Sequence, residues 1–234
     1  MAEKKVVKRK LYYDLNTKNA SFVKLSKILK DLGISNNKFH LAIYDKDLIG
    51  VDPYDPDLSL EMKSKILNEV KHNYWYFIRE VVRIPVAGGV KTYEIHRGNL
   101  AISWCLLNNI KAIIELPRQN YKSISIAIFY LWVFSFGTVN SEMMLMNKKF
   151  EDSKTNLKRI REIRDKLPDY LQIIHSRDKC NLTEQVSEIN RNTLIAKSTA
   201  NDEASADGCG RGCTQPCQWY DEFAFLKYNE IIFA

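Results

Sequence analysis

The sequence lacks an apolar run long enough to cross a membrane. Its longest, Ile124 to Phe136, contains two serines and falls well short of the roughly 20 residues a bilayer demands; it reads as a buried helix. The N-terminal stretch is Lys-rich, but it has neither the apolar core nor the small-residue cleavage site of a signal peptide. Cysteine is sparse and odd in number, five in 234 residues. That argues against a secreted disulfide framework and for a reducing, cytoplasmic setting. No repeat or low-complexity tract is present.

Charge of one sign is missing from most of the chain. There are 35 Lys and Arg against 28 Asp and Glu, a net of +7. Nine of the bases and two of the acids fall within residues 1–30, so the rest carries 26 of each and is neutral. The basic character belongs to an N-terminal arm. Such an arm suits an acidic partner such as nucleic acid, although charge alone fits a solvated terminus better. With 45% hydrophobic and 27% charged residues the composition is globular, not disordered.

Three regions are expected: a basic arm over 1–20, a helical subdomain over 21–90 and an α/β core over 91–234. Phe22, Leu25, Ile28, Leu29 and Leu32 recur at helical spacing up to Gly33. Val51 to Asp57, with two prolines and three aspartates, is a loop. Ser59 is placed to cap a helix running through Ile66, Val70, Tyr74, Phe77 and Val81, with Pro85 and Gly88-Gly89 ending it. A further helix is predicted over Asn99 to Leu107. Then the rhythm changes. Lys111 to Leu116 reads as a short strand, followed by a polar loop and the apolar helix from Lys122. Met143 to Met146 is a second strand and 151–166 a charged helix. Residues 186–198 form a hairpin-like pair around Asn190-Arg191-Asn192, and Cys217 to Tyr220 is a last strand. This alternation predicts an α/β sheet with parallel strands and crossover helices.

Chemistry gathers at two strand ends. Lys122-Ser123 follows a strand and a tight loop at the first turn of a helix. There, backbone N–H groups face an anion, the Lys122 ammonium reaches terminal phosphates and the Ser123 hydroxyl holds Mg²⁺. Both glycines of the usual G-x-x-x-x-G-K-[ST] pattern are absent from Leu116 to Ser123. Asp221-Glu222 ends a later apolar strand: Asp221 for the Mg²⁺ shell, Glu222 to orient and deprotonate water. Either element alone is ambiguous, since Lys-Ser at a helix start is common and an acidic pair is often a solvated turn. Their order along the chain points to a nucleoside triphosphatase. Upstream of the acidic pair, Gly210-Arg211-Gly212 could project a guanidinium toward phosphate or be an ordinary mobile turn.

Together these stretches resemble the ATPase domain of the large terminase subunit of tailed bacteriophages, in its large myovirus form. Leu116-Pro117-Arg118-Gln119-Asn120-Tyr121-Lys122-Ser123 is similar to the family's variant P-loop. Tyr93 to Leu100 sits where the family carries its adenine-binding motif, and Leu167 to Gln172 follows the helix after the second strand as in the family. Gly210-Arg211-Gly212 is similar to its Arg-Gly motif, and Trp219 to Phe225 to its Walker B segment. The likeness covers roughly residues 70–234.

The resemblance implies a P-loop fold of the ASCE, RecA-like kind and ATP hydrolysis that drives double-stranded DNA into a procapsid in the host cytoplasm. The implied partners are the portal protein and the small terminase subunit, with self-association into a ring for the whole protein. It implies Mg²⁺ and ATP as ligands. Lys122 and Ser123, with Arg118, Gln119, Asn120 and Tyr121 of the loop, would surround the phosphates. Arg118 would sense the nucleotide, Arg97 and Asn99 would lie at the adenine, Arg211 would act as an arginine finger, Asp221 would hold the metal and Glu222 would be the base. Two departures stand out. Tyr121 replaces the glycine before the lysine. The chain also ends twelve residues after Glu222, so the following strand and the nuclease domain are not expected in it. The remaining alternatives are a P-loop-shaped module that binds nucleotide or DNA without turnover, and a superfamily-2 helicase-like core.

Three further features read as structural. Cys209, Cys213 and Cys217 lack a fourth ligand at zinc-pair spacing. The cations Lys154, Lys158, Arg159, Arg161 and Arg164 are interleaved with acids, as on a solvated helix face. Tyr74 to Phe77 fits a core or docking face better than a base-stacking surface.

Overall fold

The computed structural model describes residues 10–117, 121–199 and 216–226. Within them the chain forms two compact units, one of residues 10–82 with Thr92–His96, the other of Arg83–Lys91 with the described residues from Arg97 onward.

The first unit is helical. Strand β1 (Tyr12–Tyr13) pairs antiparallel with β2 (Ala42–Ile43). Helix α1 (Ala20–Asp31) buries Phe22, Leu25 and Leu29, the stripe its sequence spacing predicts. Val51 to Asp57 is a turn segment: the carboxylates of Asp52 and Asp55 accept the N–H groups of Tyr54 and Asp57 two residues on, at 3.0 and 2.9 Å. Ser59 Oγ accepts from Met62 N at 3.2 Å and starts α2 (Leu60–His72). The helix expected to continue to Val81 breaks at Asn73. That residue closes α2 and caps the next turn, its Oδ1 accepting from Tyr76 N at 3.1 Å, because an Asn side chain competes with the backbone for helix-end donors. Helix α3 (Tyr74–Tyr76) then widens into a π-helical turn, Phe77–Val81. Most of the aromatic run is core: Tyr74, Tyr76 and Phe77 are buried.

The second unit holds a five-stranded mixed sheet flanked by helices. Its first feature is a hairpin of β3 (Arg83–Val86) and β4 (Gly89–Thr92). Pro85 therefore lies inside a strand instead of ending a helix, and Gly88, at φ +82°, turns the chain. Helices α4 (Arg97–Leu107) and α5 (Lys122–Trp132) pack together. Every residue from Ser125 to Leu131 is buried, which is why this segment is apolar on all sides. It ends in a π-helical turn, Val133–Gly137. Buried Asn192 donates to the carbonyls of Phe134 and Thr138, both at 2.8 Å, satisfying groups that the wider turn leaves without a helical partner.

Strand β5 (Glu142–Asn147) lies between β8 (Thr193–Lys197) and β9 (Gln218–Asp221), parallel to both. The order is β6 (Lys179–Cys180), β7 (Glu184–Val186), β8, β5, β9, with β7 antiparallel to both β6 and β8. The β7–β8 pair is a hairpin near the one expected over 186–198, but its first strand lies earlier, at 184–186, and residues 187–192 connect the two. Helix α6 (Phe150–Arg164) lies against β5 and β8 and buries Leu157, Ile160 and Ile163. One expected strand is absent. Residues 111–116 join no sheet, and Ile113 is 84% exposed. An apolar run becomes a strand only where a neighbouring strand takes up its backbone hydrogen bonds.

Candidate functional site

Parallel pairing decides where the site lies. The register sets Asn147 opposite Asp221, at the carboxyl ends of β5 and β9, the edge of a parallel sheet where ligands gather. The N-terminus of α5 meets Asp221 there. Lys122 Nζ stands 3.8 Å from Asp221 Oδ1, and Ser123 Oγ donates to Asp221 Oδ2 at 3.3 Å. Residues separated by almost a hundred positions in sequence thus share one cluster. Asp221 is 9% exposed; Lys122 and Ser123 are half-buried. A buried carboxylate beside an ammonium and a hydroxyl is charge-compensated, and each partner can exchange for a ligand atom of the same kind.

Tyr121, the residue that replaces the expected glycine, adopts the conformation glycine favours. Its φ is +53° and ψ +19°, left-handed, immediately before α5. That backbone costs an L-residue about 1–2 kcal/mol. Its carbonyl accepts from Ser125 N and Ser125 Oγ, both at 2.8 Å, which ties the loop end to the helix. The ring turns to Lys91, whose Nζ lies 5.2 Å from the ring centroid.

Glu222 follows Asp221 with φ +54°. The left-handed turn ends the strand, and Glu222 is exposed to solvent while its neighbour is buried. One acid faces inward to cationic and hydroxyl partners, the other outward to water.

The oxygen pair fits a small divalent cation. Two oxygens bound side by side to octahedral Mg²⁺, each at about 2.1 Å, lie about 3 Å apart; Ser123 Oγ and Asp221 Oδ2 are 3.3 Å apart. Both are hard oxygen donors, the type Mg²⁺ takes. Among the described residues, no group of three His, Cys, Asp or Glu side chains is arranged around a common metal position. Cys217 precedes β9, and burial pushes its thiol up to about 12, the behaviour of a packed side chain.

Of the other expected site residues, Asn99 is fully buried in the first turn of α4 and Arg97 is exposed at its start. Arg118, Gln119, Asn120 and Arg211 lie outside the described residues, as do Cys209 and Cys213.

Asn156 was not marked by any sequence motif. It is buried on α6 and donates from Nδ2 to Asp221 Oδ2 at 3.3 Å, while its Oδ1 accepts from Arg159. Three positions earlier, buried Ser153 Oγ accepts from Asn147 N at 2.8 Å. The available signal is the recurrence Ser153, Asn156, Arg159 at steps of three, a polar row beside an apolar one. The remaining α6 cations have local partners. Lys154 pairs with Glu151 at 2.7 Å, Lys158 with Glu162 at 3.6 Å and Arg164 with Asp165 at 3.0 Å. Arg161 donates to the carbonyls of Asn181 and Glu184.

No protein-family model matches the chain, and no curated protein is significantly similar to it.

Proposed function

We propose that this chain is the ATP-hydrolysing part of a DNA-packaging motor of the terminase large-subunit type. The observation that carries this reading is the meeting of Lys122, Ser123 and Asp221 at the carboxyl ends of β5 and β9. Lys122 binds the terminal phosphates of ATP. Ser123 and Asp221 hold Mg²⁺, which when bound neutralises charge developing on the phosphoryl oxygens. Glu222 takes a proton from water as its oxygen attacks the terminal phosphorus and the bond to ADP breaks. Arg118 and Arg211 take the sensing and finger roles, and Arg97 and Asn99 the adenine-side roles, that the resemblance suggests. The basic arm meets double-stranded DNA, while the portal protein, the small terminase subunit and further copies in a ring complete the motor.

A second reading, a P-loop-shaped module that binds nucleotide without turnover, is favoured by one observation. A bulky, left-handed Tyr121 stands where the backbone approaches phosphate. Phosphate release from Mg²⁺–ATP separates the two. The motor reading expects Mg²⁺-dependent turnover that falls about 100-fold or more in Lys122→Ala and in Glu222→Gln. No phosphate release, with ATP still raising the melting temperature, selects the second reading. Turnover unchanged in both variants overturns the site.

A further inference from the structure

We infer that Asn156 is the positioning residue of the Asp221 carboxylate, and that Arg159 fixes which way its amide points. This deepens the proposed function and rests on it. Asp221 Oδ2 accepts from two groups at 3.3 Å, Ser123 Oγ and Asn156 Nδ2, leaving Oδ1 toward the Lys122 ammonium. Without Asn156 the carboxylate can rotate about its last torsion, which is broad and roughly two-fold, and exchange its oxygens between the hydroxyl and the ammonium. With Asn156 in place, Oδ2 is held on the Ser123 side.

The amide itself has two faces, and one must be chosen. An amide oxygen turned to Asp221 would set acceptor against carboxylate. A guanidinium can only donate, and Arg159 donates to Asn156 Oδ1. The oxygen is therefore committed to Arg159 and the NH₂ to Asp221. The row is anchored at its other end, where Ser153 on the same side of α6 takes the N–H of Asn147, the residue paired with Asp221 across β5 and β9. One helix thus clamps both strand ends of the site. Groups that orient a metal-holding side chain through its unused hydrogen-bonding capacity are worth about 10–100-fold in metal affinity.

The test compares wild type with Asn156→Ala, Arg159→Leu and, as a control on the exposed side of α6, Lys158→Ala. Two quantities are read for each: the Mg²⁺ concentration giving half-maximal phosphate release, and the rise in melting temperature on adding ADP with and without Mg²⁺. Asn156→Ala is expected to raise the Mg²⁺ requirement about 10-fold and to lose most of the Mg²⁺-dependent part of the ADP stabilisation. The metal-free ADP response, carried by Lys122, stays. Arg159→Leu, with its half-buried side chain, shows the same split at smaller size and carries the test if Asn156→Ala does not fold by circular dichroism. Lys158→Ala matches wild type. A Mg²⁺ requirement within about twofold of wild type in both Asn156→Ala and Arg159→Leu overturns positioning and leaves the nucleotide site standing. A wild type with neither a Mg²⁺-dependent ADP response nor turnover overturns the proposed function, and the positioning role falls with it.

Discussion

Two buried carboxylates show how the units use polar groups differently. Glu69 in the first unit is 2% exposed and saturated at short range. Its Oε1 accepts from Tyr44 N at 2.9 Å and Asn73 Nδ2 at 2.7 Å, and its Oε2 from Asp45 N at 3.1 Å. Two of the three donors are backbone N–H groups. Asp221 in the second unit is also buried, but among the described residues the partners of its carboxylate are side chains, at 3.3, 3.3 and 3.8 Å. The first arrangement is a latch: its donors belong to the fold, and removing the acceptor strands them. The second is a reserve, whose donors are on side chains that can turn to a ligand. Burial alone does not separate the two arrangements; the kind and length of their contacts do.

The same contrast runs through the neighbours. In the first unit Arg79 is fully buried and gives NH1 to His40 O at 2.7 Å and Nε to Glu80 at 2.7 Å. Asn19 gives its amide to the carbonyls of Arg79 and Tyr93 at 3.1 and 2.9 Å. These buried side chains spend donors on backbone carbonyls and, at Arg79, on the Glu80 carboxylate.

Exchanging each carboxylate for its amide should break the symmetry between them most sharply. Asp221→Asn is expected to reduce phosphate release about 100-fold or more while changing unfolding free energy by less than about 1 kcal/mol, since its contacts are long. Glu69→Gln should do the reverse for stability, costing about 3 kcal/mol because an NH₂ group would face donors. Denaturant melts beside the phosphate assay check both; equal stability losses would erase the distinction.

Acid should act on the first unit through His40. Burial lowers its affinity for a proton, a backbone bond to Phe22 O partly restores it, and the nearby Arg79 lowers it further. The unfolded chain, titrating near 6.5, therefore binds the proton first. The stabilising contribution is present above that pH and is lost as pH falls through the lower native value. Hydrogen exchange followed from pH 7 to 5 should show the segments around His40 losing protection. His40→Gln, which cannot titrate, should flatten the trend.

The smallest effect is expected at Tyr121. Glycine there relieves the left-handed strain of about 1–2 kcal/mol but frees the unfolded chain and removes the ring from Lys91. Tyr121→Gly should alter stability by less than about 1 kcal/mol, read from the denaturant midpoint.

Local signals in the sequence were strong wherever structure is local. Apolar spacing in α1, the Ser59 cap, the β7–β8 turn at Asn190 to Asn192 and the short apolar runs of β5 and β9 all appear in the structure. The meeting of Lys122, Ser123 and Asp221 was foreshadowed by residue type, a cation and a hydroxyl at a helix start and an acid at a strand end, although the strand expected before Lys122 is not there. Long-range pairing was not legible: Lys111 to Leu116 has strand composition, yet the sheet does not include it. Nor was a residue with two jobs, as at Asn73, where one side chain ends a helix and starts another turn. Pro85 concealed a strand because proline is compatible with a short two-stranded hairpin. Asn156 was invisible for a different reason: its role depends on Asp221 arriving opposite it from 65 residues away.

Mn²⁺ in place of Mg²⁺, followed by electron paramagnetic resonance with ATP, tests the shared cluster most directly. One Mn²⁺–ATP is expected per chain, held about 10-fold or more weakly in Ser123→Ala and Asp221→Asn, while Lys122→Ala weakens ATP with or without metal. Mn²⁺–ATP held equally well by all three variants would place the nucleotide elsewhere and contradict the shared cluster.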